Sequence, residues 1–112
     1  MDDATLFKKL EKEIDFIVVE SGYGNFNIVS LESIEKITNW ILSSKEFKPE
    51  YASYPFPQVK LIIKFHDGEE IIVYTTYPAD SLQPAIIKYK SNYYIASNYP
   101  EIPEYKNFSF SK

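Results

Sequence analysis

Val59 to Tyr77, VKLIIKFHDGEEIIVYTTY, sets two runs of β-branched and aromatic residues on either side of Asp67-Gly68. That dipeptide is among the strongest short-range signals for a tight hairpin turn. Pairing outward from a two-residue turn places His66 opposite Glu69, Phe65 opposite Glu70, Ile63 opposite Ile72, Leu61 opposite Tyr74 and Val59 opposite Thr76. Alternation puts the last four pairs on one face, the expected core side. The other face then carries Lys60, Ile62, Lys64 and His66 against Glu69, Ile71, Val73 and Thr75, a mixed set suited to a partly covered surface or a binding surface.

A second hairpin follows the first. Ala85 to Lys90 pairs with Tyr93 to Ser97 around Ser91-Asn92, with Ile87, Tyr89, Tyr94 and Ala96 on one side. Ile86, Lys88, Lys90, Tyr93, Ile95 and Ser97 share the other. Ahead of the central pair, the crowding of Phe16, Ile17, Val18 and Val19 predicts a strand over about 15–20, and Phe26 to Val29 a shorter one. Ser21 to Asn25 join them as a turn, since Gly22, Gly24 and Asn25 supply the positive φ values such a loop needs.

Two stretches have a helical period instead. Residues 3–13 place Leu6, Phe7, Leu10 and Ile14 on one stripe, with Asp2, Asp3 and Thr5 near the start, where they offset free N–H groups. Ser30 reads as the N-cap of a helix over 31–44, with Leu31, Ile34, Ile37, Thr38, Ile41 and Leu42 as its apolar stripe. Trp40 lies on the flank of that stripe and is assigned to the margin of the core. Glu32 and Lys36, four apart, form an expected ion pair on the wet side.

The remaining segments are connections. KEFKPEYASYPFPQ, residues 45–58, mixes charge with three prolines and reads as an ordered loop. Residues 79–84 link the two hairpins. Tyr54-Pro55, Phe56-Pro57, Tyr77-Pro78 and Tyr99-Pro100 are the bonds at which a cis peptide is to be sought. Residues 98–112 form an extended C-terminal tail, in which Pro100 and Pro103 exclude regular structure and Tyr105, Phe108 and Phe110 are placed to dock it onto the domain or onto another molecule. The order α-β-β-α-β-β-β-β predicts an α+β class: a single small domain over 1–112, mostly antiparallel sheet with two helices packed on one face.

Composition removes several function classes. The 112 residues are 45% hydrophobic, and no apolar run reaches the ~18 residues a membrane helix requires, so no membrane association is expected. MDDATLFKKLEKEI lacks the basic start and apolar centre of a signal peptide, which makes a cytoplasmic location the expectation. The absence of cysteine removes disulfides, thiolate zinc sites and cysteine nucleophiles. All 12 basic residues are lysine, so no guanidinium fork is present to read guanine edges or clamp phosphates. The formal net charge of -4 also opposes non-specific attraction to nucleic acid or anionic lipid.

His66 is the sole histidine, beside Asp67, Glu69 and Glu70. One imidazole with scattered carboxylates has neither zinc-ligand spacing nor the calcium-loop pattern, and turn tips favour such residues for geometry and solubility. The structural reading is preferred, and no metal or cofactor is expected. Gly22-Tyr23-Gly24 lacks both a Walker lysine and the third glycine of a dinucleotide fingerprint. No serine occupies a nucleophile elbow. No catalytic residue is assigned, and the chain is not expected to be an enzyme.

The aromatic residues are the better clue, because 10 tyrosines, 8 phenylalanines and one tryptophan make up 17% of the chain. Tyrosine offers rigid area with a polar tip and is enriched at interfaces. Tyr89, Tyr93, Tyr94, Tyr99, Lys88, Lys90 and Tyr54 are therefore the expected partner-binding residues. They imply a non-enzymatic protein-binding module, of the inhibitor, immunity or phage anti-defence type, with an unidentified protein partner. Strand edges at Val59 to Phe65 or Ile86 to Lys90 also allow a homodimer. The alternative is a small ligand or a single-stranded nucleic acid on the same Tyr/Lys face, bases stacking on tyrosines while Lys60, Lys64, Lys88 and Lys90 follow the phosphates. Net acidity makes nucleic acid the weaker of these partners.

Overall fold

The two predicted hairpins and the Ser30-capped helix all form, and they are joined by one strand and one helix that the sequence pattern hid. The computed structural model describes residues 5–48, 58–76, 85–96 and 99–108. In chain order these give α1 (Thr5–Lys9), β1 (Ile14–Ser21), β2 (Gly24–Ile28), α2 (Leu31–Leu42), β3 (Lys45–Phe47), β4 (Val59–Phe65), β5 (Glu70–Thr75), β6 (Ala85–Tyr89), β7 (Asn92–Ala96) and α3 (Pro103–Lys106). The class is α+β. Every strand pair is antiparallel, and the sheet order is β2-β1-β4-β5-β6-β7-β3.

This order corrects the expected homodimer edges. β4 is paired on both sides, by β1 and β5, and β6 by β5 and β7, so neither has a free edge for a second copy. The margins are β2 and the three-residue β3. Lys45 to Phe47, assigned to a loop, instead pair with Ile95 to Tyr93 and cap that margin with a short, charged strand.

Register in the central hairpin differs from expectation by one residue. Val59 faces Thr75, Leu61 faces Val73, and Ile63 faces Ile71. The turn explains the slip: Gly68 N–H donates to the Phe65 carbonyl at 3.0 Å and Phe65 N–H to the Glu69 carbonyl at 2.9 Å, closing a three-residue loop, His66-Asp67-Gly68. Gly68 takes φ +93 in it, the bulge position that follows such a turn. A slip of one turns the whole strand over. Ile71, Val73 and Thr75 are therefore buried, while Ile72 and Tyr74, assigned to the core, point to the opposite face. The second hairpin slips by two, with Tyr89 opposite Asn92 and Ile87 opposite Tyr94, and an even slip leaves its faces as expected.

The inward set is Ile17 and Val19 from β1, Val59, Leu61, Ile63 and Phe65 from β4, Ile71 and Val73 from β5, Ala85, Ile87 and Tyr89 from β6, and Tyr94 and Ala96 from β7. Leu6 and Leu10, then Ile34, Ile37, Trp40 and Ile41 of α2, join this set in one cluster. Each such aliphatic side chain contributes roughly 1.5–3 kcal/mol on burial.

Helix α2 begins as expected, the Ser30 hydroxyl accepting from Ser33 N–H at 3.4 Å. Its buried stripe is rotated: Leu31 and Leu42 are exposed, and Ser33 and Trp40 are buried in their place. Ser33 tolerates burial because its hydroxyl donates to Glu104 at 2.8 Å. The first helix is shorter than residues 3–13. After Lys9 the backbone tightens, Glu11 N–H donating to Lys8 and Lys12 N–H to Lys9, and Ile14 enters β1.

Residues 99–108 dock on the domain. Pro103 occupies the first turn of α3, where its missing N–H costs nothing, so it starts a helix rather than preventing one. Ile102 is buried, and Tyr99, Tyr105 and Phe108 pack against the core. Trp40 and Tyr99 ring centroids are 4.5 Å apart, Tyr99 and Tyr105 5.7 Å, Phe26 and Tyr105 6.1 Å, and Phe26 and Phe108 4.7 Å. These rings close one side of the core. Among the described residues no peptide bond is cis and no helix is long and apolar enough to cross a membrane. The expectations for Asp2, Asp3, Tyr54-Pro55, Phe56-Pro57, Tyr77-Pro78, residues 79–84, Ser97 and Phe110 lie outside the described residues.

Candidate binding face

The side chains that alternate with the inward set form the opposite face of the sheet. Directly paired residues share a face, so strand register lays them out in rows. Phe16, Lys64 and Glu70 make one row across β1, β4 and β5, and Val18, Ile62 and Ile72 make the next. The third crosses all seven strands, from Asn25 through Glu20, Lys60, Tyr74, Lys88 and Tyr93 to Phe47. Between Lys60 and Phe47 this row spans ~19 Å, from four interstrand spacings of ~4.8 Å.

The face is apolar at its centre, and two of its lysines are paired with glutamates on the same face. Ile72 is 38% and Tyr74 36% exposed, two residues apart on the same face of β5. Ile86, farther along the same face, is buried. Lys64 Nζ lies 2.8 Å from Glu70 Oε1, and Lys60 Nζ 3.7 Å from Glu20 Oε1. Lys88 has no ion-pair partner among the described residues; its Nζ sits 5.8 Å from the centre of the Tyr93 ring, which meets Phe47 edge-on at 6.4 Å.

The predicted partner-binding residues divide. Tyr93 and Lys88 lie on this face. Lys90 is in the turn between β6 and β7 at φ +57, its Nζ 5.4 Å from the centre of the Tyr89 ring. Tyr89 and Tyr94, 3% and 6% exposed, belong to the core and offer a partner no contact area. The reason is alternation: they fall on the inward face with Ile87 and Ala96. Tyr99 packs between Trp40 and Tyr105, its hydroxyl donating to the Thr76 carbonyl and hydrogen-bonded to the Thr75 hydroxyl. Burial pushes that phenol well above its ordinary pKa. Tyr54 lies outside the described residues. Ile72, Tyr74 and Phe47 are the face residues that sequence reasoning missed; counting His66 into a three-residue turn would have found the first two.

The polar cluster at the hairpin tip is tied to the segment before β1. Lys12 Nζ lies 2.8 Å from Asp67 Oδ2 and 2.5 Å from Glu69 Oε1, and 4.9 Å from the centre of the Phe65 ring. Hydrogen bonding to Lys12 holds the Asp67 carboxyl below its usual pKa. His66 N–H donates to the Glu13 carbonyl at 3.1 Å, and its Nδ1 stands 3.7 Å from Asp15. Asp15 lies where the β1–β4 register shifts. This arrangement clasps the tip and commits Asp67 and Glu69 to a lysine. Among the described residues, no three His, Cys, Asp or Glu side chains gather as metal ligands.

No protein-family model, curated protein or solved structure matches this chain.

Proposed function

We propose that the protein is a non-enzymatic binding module that engages a protein partner through the sheet face bearing Ile62, Ile72, Tyr74, Lys88 and Tyr93. The observation that carries this reading is the exposure of Ile72 and Tyr74 in the middle of a seven-stranded sheet, flanked by the Lys60–Glu20 and Lys64–Glu70 ion pairs. An apolar and aromatic centre with a polar rim is the anatomy of a protein interface. A nucleic-acid platform needs lysines free to meet phosphates, whereas Lys60 and Lys64 here face Glu20 and Glu70. The alternation of Lys60, Tyr74, Lys88 and Tyr93 along one row is what favours single-stranded nucleic acid as the second reading.

The test compares capture of partners from cell lysate by the tagged wild-type chain and by the Ile72→Lys chain, with folding checked by circular dichroism. Loss of a captured protein by the folded variant supports the reading. Equal capture by both, or recovery of nucleic acid that moderate salt releases, counts against it.

A further inference from the structure

We infer that the partner of this face is a second copy of the chain, packed sheet on sheet about a twofold axis that runs along the strands between β4 and β5. The inference rests on the reading of the face as a protein-binding surface. An axis so placed turns one copy over the other, setting β4 on the second copy's β5 and β1 on its β6.

Along the rows, every charge then meets a complementary group. Lys64 faces the second copy's Glu70, and Glu70 its Lys64. Glu20 faces the second copy's Lys88, which has no ion-pair partner of its own among the described residues. Lys60 faces the Tyr74 ring, a cation over an aromatic surface. Ile62 faces Ile72 at the centre, so the most exposed aliphatic side chain in the sheet is covered by an aliphatic one. Each contact occurs twice, as the symmetry requires.

Other placements lose this match. An axis along β4 stacks Lys60 and Lys64 on their own copies, and an axis along the Val18–Ile62–Ile72 row sets Lys64 over Lys60. An axis between β1 and β4 sets Ile72 over Asn27 and leaves Lys88 beyond the second sheet. Like charges facing each other cost several kcal/mol, so pairing selects the β4/β5 axis. Sheets packed face to face lie ~10 Å apart with strands about 30° from alignment. The rows therefore coincide best near the axis, where Ile62, Ile72, Lys64 and Glu70 sit.

The test is the mass of the chain in solution, measured by light scattering or sedimentation over a range of concentrations. The expected mass is about twice the 13.1 kDa of one chain. Lys64→Glu and Glu70→Lys, each folded by circular dichroism, should each weaken self-association by about a hundredfold or more, because two like-charged pairs replace two opposite ones. Mixing the two variants restores opposite charge at both positions and should restore the doubled mass as a one-to-one complex. If either variant fails to fold, Glu20→Lys and Lys88→Glu provide the same cross-complementation. A wild-type chain that stays at 13.1 kDa, or variants that stay monomeric when mixed, overturns the second-copy inference. In that event the capture experiment with Ile72→Lys still decides whether the face binds a different protein. Oligothymidine binding to a monomeric wild-type chain overturns both.

Discussion

The edge of the Phe108 ring lies so close to Gly24 that a β-carbon built on that glycine would stand 3.2 Å from Cζ. Gly24 also has φ +131, where L side chains are rarely found. The tail thus closes over a position that must lack a side chain. Gly24→Ala should lose about 1–3 kcal/mol of stability, from backbone strain and displacement of Phe108. Urea denaturation checks this: a lower midpoint with an unchanged slope is expected, and an unchanged midpoint refutes it.

Adjacent tyrosines on β7 should behave oppositely. Tyr94→Ala removes a buried ring that packs 5.5 Å from Phe7 and should cost about 3–5 kcal/mol. Tyr93→Ala, on the other face, should cost about 1 kcal/mol or less. The two denaturation midpoints, measured side by side, test the face assignment, and equal losses would contradict it.

Lys90 holds φ +57 without being glycine. An L-residue in that region pays about 1–2 kcal/mol, part of which is offset by the greater freedom of glycine in the unfolded chain. Lys90→Gly should therefore stabilise the fold by about 0.5–1 kcal/mol, read as a raised midpoint. A destabilised variant would show that the lysine stem over Tyr89 matters more than the turn conformation.

The buried phenols should make the fold sensitive to alkali. Burial raises the pKa values of Tyr99 and Tyr105, with Tyr105 adding to the shift at Tyr99. A group whose folded pKa is raised contributes stability in full below its unfolded value, ~10 for tyrosine, and loses it as pH rises through the folded pKa. Denaturation midpoints should fall from about pH 10 upward. Tyr99→Phe should be less stable near neutrality by about 1 kcal/mol, from the lost hydrogen bonds, yet decline less steeply in alkali. Parallel decline of the two chains would refute the assignment.

How far the fold was legible follows from how each signal is encoded. Ser30 and the period of Ile34, Ile37 and Ile41 specify α2 locally, and the runs around Asp67-Gly68 specify a hairpin. What they do not carry is turn length, since His66 suits a strand end or a loop equally well. That single residue decides whether Ile72 and Tyr74 are core or surface. β3 was hidden because three residues in a charged, proline-containing segment have no period, and their partner, β7, is remote in sequence. Of the residues expected to bind a partner, Lys88 and Tyr93 lie on the candidate face. Tyr89 and Tyr94 lie inward, because richness in tyrosine does not say which tyrosines face inward; only alternation within a known register does.

The sheet order also bears on when the molecule can assemble. β1, β2 and β3 leave the ribosome before β4 to β7 but belong at the two outer margins, with β4 to β7 between them. β1 must wait for β4, and Lys45 for Ile95. Until then α2 has an apolar stripe and only a two-stranded ribbon to cover, which is marginal by itself. Folding should accordingly be late and governed by long-range pairing, in the slow part of the range for small domains. A chain stalled before Val59 is the species that cellular chaperones would meet.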